Sequence, residues 1–158
     1  MNFTTKDLQA ENAVPTALQK ADSEEKPNQV TKPEKHSLPE KLRLLVVEEN
    51  VIVALDVEDM LMRNGAAHVA VVSSCEEALK QLDSARFDAA LLDLQLTQGD
   101  SLPVARRLRE LAIPFAFTTG YGERAVIPPP FSAVPVIGKP YNEAHLISRL
   151  AELLDVSD

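Results

Sequence analysis

From residue 42 onward the sequence predicts an α/β domain, a doubly wound five-stranded parallel sheet covered by helices on both sides. Two features of the pattern and one of the composition predict it. Short aliphatic runs alternate with amphipathic segments of helical period, and the runs are apolar on consecutive residues, as strands buried on both faces must be. Hydrophobic residues make up 45% of the 158 positions, while aromatics supply 4% and Trp is absent. The core is therefore expected to be built from Leu, Val, Ile and Ala.

The elements follow in order. Residues 42–47, LRLLVV, are aliphatic apart from one charge and form the first strand. Residues 51–64 form a helix on the spacing of Ile52, Leu55, Val57, Met60 and Leu61, and Gly65 is placed to end it in a left-handed turn. Residues 67–72 make the second strand. Ser74 with Glu77 three positions later is a capping-box pattern, which starts a helix running to about Ala85. The third strand is 89–92, followed by a loop ending near Gly99. Residues 102–111 form the next helix, with Pro103 tolerated in its first turn, and 114–118 form the fourth strand. Between 120 and 135, Gly120, Gly122 and the run Pro128, Pro129, Pro130 oppose helical backbone geometry, so the fourth helix is expected to be short or irregular. Residues 136–138 complete the sheet, and Asn142 caps a last helix carrying Leu146, Ile147, Leu150, Leu153 and Leu154.

Composition narrows the function. Sixteen Lys plus Arg against 24 Asp plus Glu give a net charge of −8, which argues against nucleic acid or an anionic membrane surface as partner. Cys75 is alone, and His36, His68 and His145 are scattered. Neither an internal disulfide nor a multi-cysteine zinc site can form, and a reducing cytoplasm fits. No apolar run approaches the length of a membrane span, and the polar N-terminus lacks a signal-peptide pattern. Cytoplasmic localisation is the expectation. Residues 1–41 contain Pro15, Pro27, Pro33 and Pro39, one aromatic, Phe3, and no hydrophobic period. They have the composition of a disordered N-terminal extension, leaving 42–158 as the folded domain.

Open parallel sheets place their sites at the carboxyl ends of strands. Applied here, that rule gathers Glu48 and Glu49 after the first strand, Asp93 at the third, Thr119 at the fourth and Lys139 after the fifth. Three carboxylates collected beside an aliphatic core repel one another unless a cation joins them. Lys139 and a divalent ion would do so, and Mg²⁺ suits an oxygen set of this kind. The pattern fits phosphoryl transfer onto a carboxylate, in which catalysis is mostly positioning and charge neutralisation. Asp93 is the expected nucleophile, Lys139 the point charge for phosphoryl oxygens, and Thr119 the hydroxyl donor to one of them.

The runs LLVVEEN, LLDLQL, TTGYG and GKPY, in this order and spacing over about residues 42–156, resemble the receiver domains of bacterial two-component response regulators. The run PFAFTTGY at 114–121 looks like the signature of the FATGUY group of single-domain receivers, with Thr118 where Ala is usual. The resemblance implies a flavodoxin-like strand order of 2-1-3-4-5. It makes Asp93 the phosphoacceptor, Glu48 and Glu49 the acidic pair that holds Mg²⁺ with Asp93, Gln95 a metal ligand through its backbone carbonyl, Thr119 the switch hydroxyl and Lys139 the phosphate-binding lysine. Gln95 and Tyr121 fall at positions that tune dephosphorylation in the family. Two departures stand out: Glu49 replaces the usual Asp and is longer by roughly 1.5 Å, and Val136 replaces the usual aromatic of the switch.

The implied function is that of a phosphoprotein in a phosphorelay, of the kind used in stress responses. It takes its phosphoryl group from a histidine kinase or phosphotransfer protein and turns it over at most slowly, so it is not an enzyme in the ordinary sense. Because the chain ends soon after the last helix, its output is expected to be contact with a downstream protein partner or phosphate buffering. Two alternatives stand beside this. One is a receiver-like binding module independent of phosphorylation, motivated by Glu49 and Val136. The other, weaker, is a phosphohydrolase of the haloacid dehalogenase type, because residues 93–97, DLQLT, resemble DxDxT; Gln95 stands there in place of the general acid, a role an amide cannot fill.

Overall fold

The computed structural model describes residues 37–120 and 126–155, and most of the expected extension, residues 1–36, lies outside them. Strand β1, Leu42–Val47, is an interior strand of the layer, second in the sheet order. It pairs in parallel with β2, Ala66–Val72, on one side and with β3, Ala89–Asp93, on the other. β3 then pairs with a strand at Phe115–Thr119, and that strand with one at Val136–Gly138, again in parallel. Two short strands in the loop after β3, Gln95–Leu96 (β4) and Gly99–Asp100 (β5), form a separate antiparallel hairpin, so these last two sheet strands are β6 and β7. The sheet order is β2-β1-β3-β6-β7, which is the 2-1-3-4-5 order implied by the resemblance.

Alternation along each strand divides the core into two layers. Leu44 and Val46 of β1, Leu91 of β3 and Ile137 of β7 face one layer with Val57, Met60 and Leu61 of helix α1, Val51–Arg63, and with Leu146, Ile147 and Leu150 of the C-terminal helix at Glu143–Asp155. Leu45 and Val47, Ala90 and Leu92, and Phe115 and Phe117 face the other layer. There they meet Ala78 and Leu82 of α2, Cys75–Ser84, and Val104, Ala105 and Leu108 of α3, Leu102–Glu110. The C-terminal helix is therefore α4. Each fully buried Leu or Phe contributes about 1.5 to 3 kcal/mol through removal from water. The second layer also holds an aromatic group absent from the aliphatic expectation. Phe115, Phe117 and Phe131 pack edge to face with centroids 5.5 to 6.3 Å apart, and the Arg109 guanidinium lies 4.5 Å from the Phe131 centroid.

The caps expected at Ser74 and Asn142 form, and Asn50 adds one that was not expected. The Asn50 side chain accepts from the amides of Ile52 and Val53 at the start of α1, Ser74 accepts from Glu77 at 3.2 Å, and Asn142 accepts from His145 at 3.0 Å. The Glu77 carboxylate in turn accepts from the amide of Ser73, one residue before the cap. Gly65 has φ +112°, and a Cβ there would meet the Leu38 carbonyl oxygen at 3.1 Å. Leu38 itself is 4% exposed and donates its amide to Asn64, so core packing begins upstream of the expected start at Leu42.

Two other expectations are corrected. Ile52 and Leu55, read as core-facing on α1, are 79% and 61% exposed, because the buried stripe is Ala54, Val57, Met60 and Leu61. The loop after β3 contains the β4–β5 hairpin, made possible by Gly99 at φ +117°. Between β6 and β7 the described residues form only a 3₁₀ turn at Pro129–Phe131, the irregular segment that the glycines and prolines predict. Residues 121–125 lie outside the described set.

Candidate functional site

In a parallel sheet the strand ends of one polarity share an edge, and three of the predicted groups meet there. The Glu48 amide continues the β1–β2 ladder by donating to the Val72 carbonyl, and the Lys139 amide continues β6–β7 by donating to the Thr119 carbonyl at 2.8 Å. These ladder bonds aim both side chains toward Asp93, the last residue of β3. The Lys139 ammonium donates to Glu48 Oε2 at 2.8 Å and to Asp93 Oδ2 at 2.9 Å. Glu48 is 3% and Asp93 7% exposed, so two anions are withdrawn from water around one cation.

The remaining carboxylate oxygens are also satisfied. Glu48 Oε1 accepts from the Asn50 amide at 3.0 Å and Asp93 Oδ1 from the Gln95 amide at 3.1 Å. Burial by itself would depress the pKa of the Lys139 ammonium. The hydrogen bonds and charges of Glu48 and Asp93 outweigh it and hold that pKa above the ordinary lysine value. Tyr141 packs beside this group after a cis Lys139–Pro140 peptide bond. Burial pushes its phenol up to about 12, against the opposing influence of a hydrogen bond with Thr118 and the charge of Lys139.

Thr119 is buried at the end of β6. It borders a cavity of about 260 Å³ lined also by Leu94, Gln95, Asp100, Val126 and Pro128. Gln95 is exposed at the start of β4, and Tyr121 lies outside the described residues. Glu49 does not join the cluster. Both of its oxygens are engaged by the hairpin: Oε1 accepts from the Thr97 amide at 2.8 Å and Oε2 from the Thr97 hydroxyl at 2.7 Å. Carboxylate and carbonyl oxygens suit a hard cation in chemistry, but this placement of Glu49 does not. Among the described residues no three His, Cys, Asp or Glu side chains are grouped to hold a metal ion.

Sequence reasoning missed Asn50, Tyr141 and Thr97. Asn50 carried a legible signal, an Asn directly before a helical run. Thr97 carried none, because its contact with Glu49 spans 48 residues and depends on a hairpin two residues deep.

Comparison with known proteins agrees with the fold and places it in a family. The model of the response regulator receiver domain matches residues 44–151. The sensory transduction protein LytT of Bacillus cereus is 28% identical over 112 residues, covering 69% of this chain and 46% of LytT. The chain thus spans less than half the length of that relative. The crystal structure of a response regulator receiver protein from Sinorhizobium medicae WSM419 is 26% identical with a TM-score of 0.64, covering 75% of this chain and 98% of that one. The solution structure of SdrG from Sphingomonas melonis Fr1 is 32% identical with a TM-score of 0.62, covering 74% and 99%. SdrG also matches in its BeF3-activated conformation, at 30% identity, TM-score 0.63 and the same coverage. No helix among the described residues is long and apolar enough to cross a membrane. With the receiver model matching well over half of its length, the sheet in receiver order and a lysine joining acidic residues at the strand ends, the chain belongs to the response regulator receiver domain family of two-component signalling.

Proposed function

We propose that Asp93 is the phosphoacceptor of this chain, taking a phosphoryl group from a phosphohistidine on a histidine kinase or phosphotransfer protein and passing the signal on by protein contact within a phosphorelay. Receiver domains interact with such donors and are signalling proteins rather than conventional enzymes. What carries the assignment to Asp93 is the bridge from Lys139 to Asp93 and Glu48, a preformed charge at the only strand-end aspartate of the described five-stranded sheet.

In the transfer, an Asp93 carboxylate oxygen bonds to phosphorus as the nitrogen–phosphorus bond of the donor breaks. The imidazole nitrogen keeps the electron pair and takes up a proton, leaving an acyl phosphate. Lys139 meets the charge of the phosphoryl oxygens, and the Thr119 hydroxyl donates to one of them. Receiver domains generally bind Mg²⁺ at the acidic phosphorylation site. When bound, the ion would neutralise phosphoryl charge, and Glu48, Asp93 and the Gln95 carbonyl would hold it, joined by Glu49 where that side chain is free of Thr97. The PFAFTTGY run at 114–121 supports membership of the FATGUY group.

An exposed apolar patch beside the site supports docking of the donor there. Val51, Ile52 and Leu55 are 69%, 79% and 61% exposed on the first turns of α1. They follow directly on Glu48, Glu49 and the capping Asn50, so a protein that brings a phosphohistidine to Asp93 covers them. The test is uptake of one phosphoryl group on the intact mass with a phosphorylated kinase and Mg²⁺. Wild type is expected to take up the label and Asp93→Asn to lose it; uptake by Asp93→Asn at the wild-type level would refute the assignment.

A second reading, a receiver-like module that binds without being phosphorylated, is favoured by the engagement of Glu49 with Thr97. It would show as partner binding that is unaffected by Asp93→Asn.

A further inference from the structure

We propose that Thr97 is an internal competitor for Glu49, so that binding of a divalent cation and release of the β4–β5 hairpin are a single coupled equilibrium. The inference rests on the metal-binding part of the function proposed above. Glu49 leaves the end of β1 next to Glu48, where a third carboxylate would complete an acidic set around Asp93. Instead it reaches across to the hairpin and receives two hydrogen bonds from one residue, at 2.8 Å from the amide and 2.7 Å from the hydroxyl. Hydrogen bonds to an ionised acceptor are about twice as strong as neutral ones.

The contact has a structural reason. Thr97 sits at the hairpin tip, directly after Leu96, which pairs with Gly99. With two residues per strand, the hairpin holds few ladder bonds of its own, and a threonine at its tip can offer the amide and the hydroxyl to one carboxylate. Glu brings the reach: an Asp at position 49 would fall short by about one carbon–carbon bond, roughly 1.5 Å. Anchoring matters beyond the tip. Asp100 in β5 accepts from Cys75 Sγ through its carbonyl at 3.2 Å and from the Leu102 amide through its side chain at 3.1 Å, so the hairpin is tied to the starts of both α2 and α3.

For Glu49 to serve a cation, both bonds to Thr97 must open. The cation's apparent affinity is then reduced by the population in which Glu49 is free, and by reciprocity a bound cation loosens the hairpin. Thr97 therefore sets metal affinity without touching the metal.

The test measures Mg²⁺ affinity by titration calorimetry on the full chain, with the amide resonances followed in parallel. Thr97→Val keeps the branched shape and the backbone amide but removes the hydroxyl, and is expected to bind Mg²⁺ about tenfold more tightly than wild type. Thr97→Ser keeps the hydroxyl and is expected to match wild type. In wild type, saturation with Mg²⁺ is expected to shift the Thr97 amide resonance and speed its exchange with solvent. Equal Mg²⁺ affinity in wild type and both variants, or an unmoved Thr97 amide at saturation, overturns the competition while leaving the metal site standing. Tightening in Thr97→Ser as large as in Thr97→Val also overturns it, because that would mark general loosening of the hairpin. Absence of Mg²⁺ binding in all three proteins overturns the competition and the metal reading together.

Discussion

Replacing Lys139 by Met is the sharpest test of how the site is held together. Met preserves an unbranched side chain but removes the ammonium that bonds Glu48 at 2.8 Å and Asp93 at 2.9 Å. The side chains of these two acids are only 3% and 10% exposed, so the variant leaves adjacent anions in a poorly hydrated place. Removing one member of a buried ion pair costs about 3 to 5 kcal/mol. Each carboxylate keeps one backbone amide donor, from Asn50 and Gln95 respectively, which puts the expectation at the low end, about 3 kcal/mol at neutral pH.

Asp93→Asn in the same background removes one anion and should recover a large part of the loss, a coupling readable as a double-mutant cycle. Urea unfolding followed by far-ultraviolet circular dichroism suits a chain without Trp. A loss below about 1 kcal/mol, or no recovery on adding Asp93→Asn, would show that the bridge is not what makes these acids tolerable.

Two further outcomes follow from burial elsewhere in the domain. The Tyr141 phenol is held up to about 12, against 10.0 for a free phenol. Between these values the unfolded chain has released a proton that the folded chain retains, so stability is full below pH 10 and falls by roughly 2 to 3 kcal/mol as pH rises toward 12. Tyr141→Phe should flatten that decline and remove a late step from the phenolate absorbance titration, leaving the smaller alkaline loss due to the raised Lys139. A titration unchanged by the substitution would refute the burial argument. Leu38→Ala should lower stability by about 2 to 4 kcal/mol, as for a buried leucine, and a chain starting at residue 42 should lose at least as much. Unfolding curves that overlay wild type would return the edge of the core to Leu42.

How much could be read without coordinates differs by kind of interaction. Period and punctuation located every strand of the main sheet, because a strand buried on both faces must be apolar at consecutive residues and a helix end needs Asn, Ser or Gly whatever surrounds it. Glu48, Asp93 and Lys139 were legible for a related reason: a parallel sheet delivers its strand ends to one edge, so position along each strand suffices to bring them together. Which face of α1 is buried was less so. Ile52 and Leu55 fit a helical period as well as Ala54 does, and only packing against the sheet, β2 above all, selects the stripe with Ala54, Val57 and Leu61.

What the chain alone determined, then, is the layer order of apolar segments and the local chemistry at their ends, both properties of residues close in sequence. The direction of Glu49, the inclusion of Leu38 in the core and the Phe131 cluster were decided by tertiary structure. Each depends on a contact whose free energy exists only after distant segments have been brought together: Thr97 to Glu49 across 48 residues, Leu38 beneath the turn at Gly65, and Phe131 against two phenylalanines of β6 and the guanidinium of Arg109.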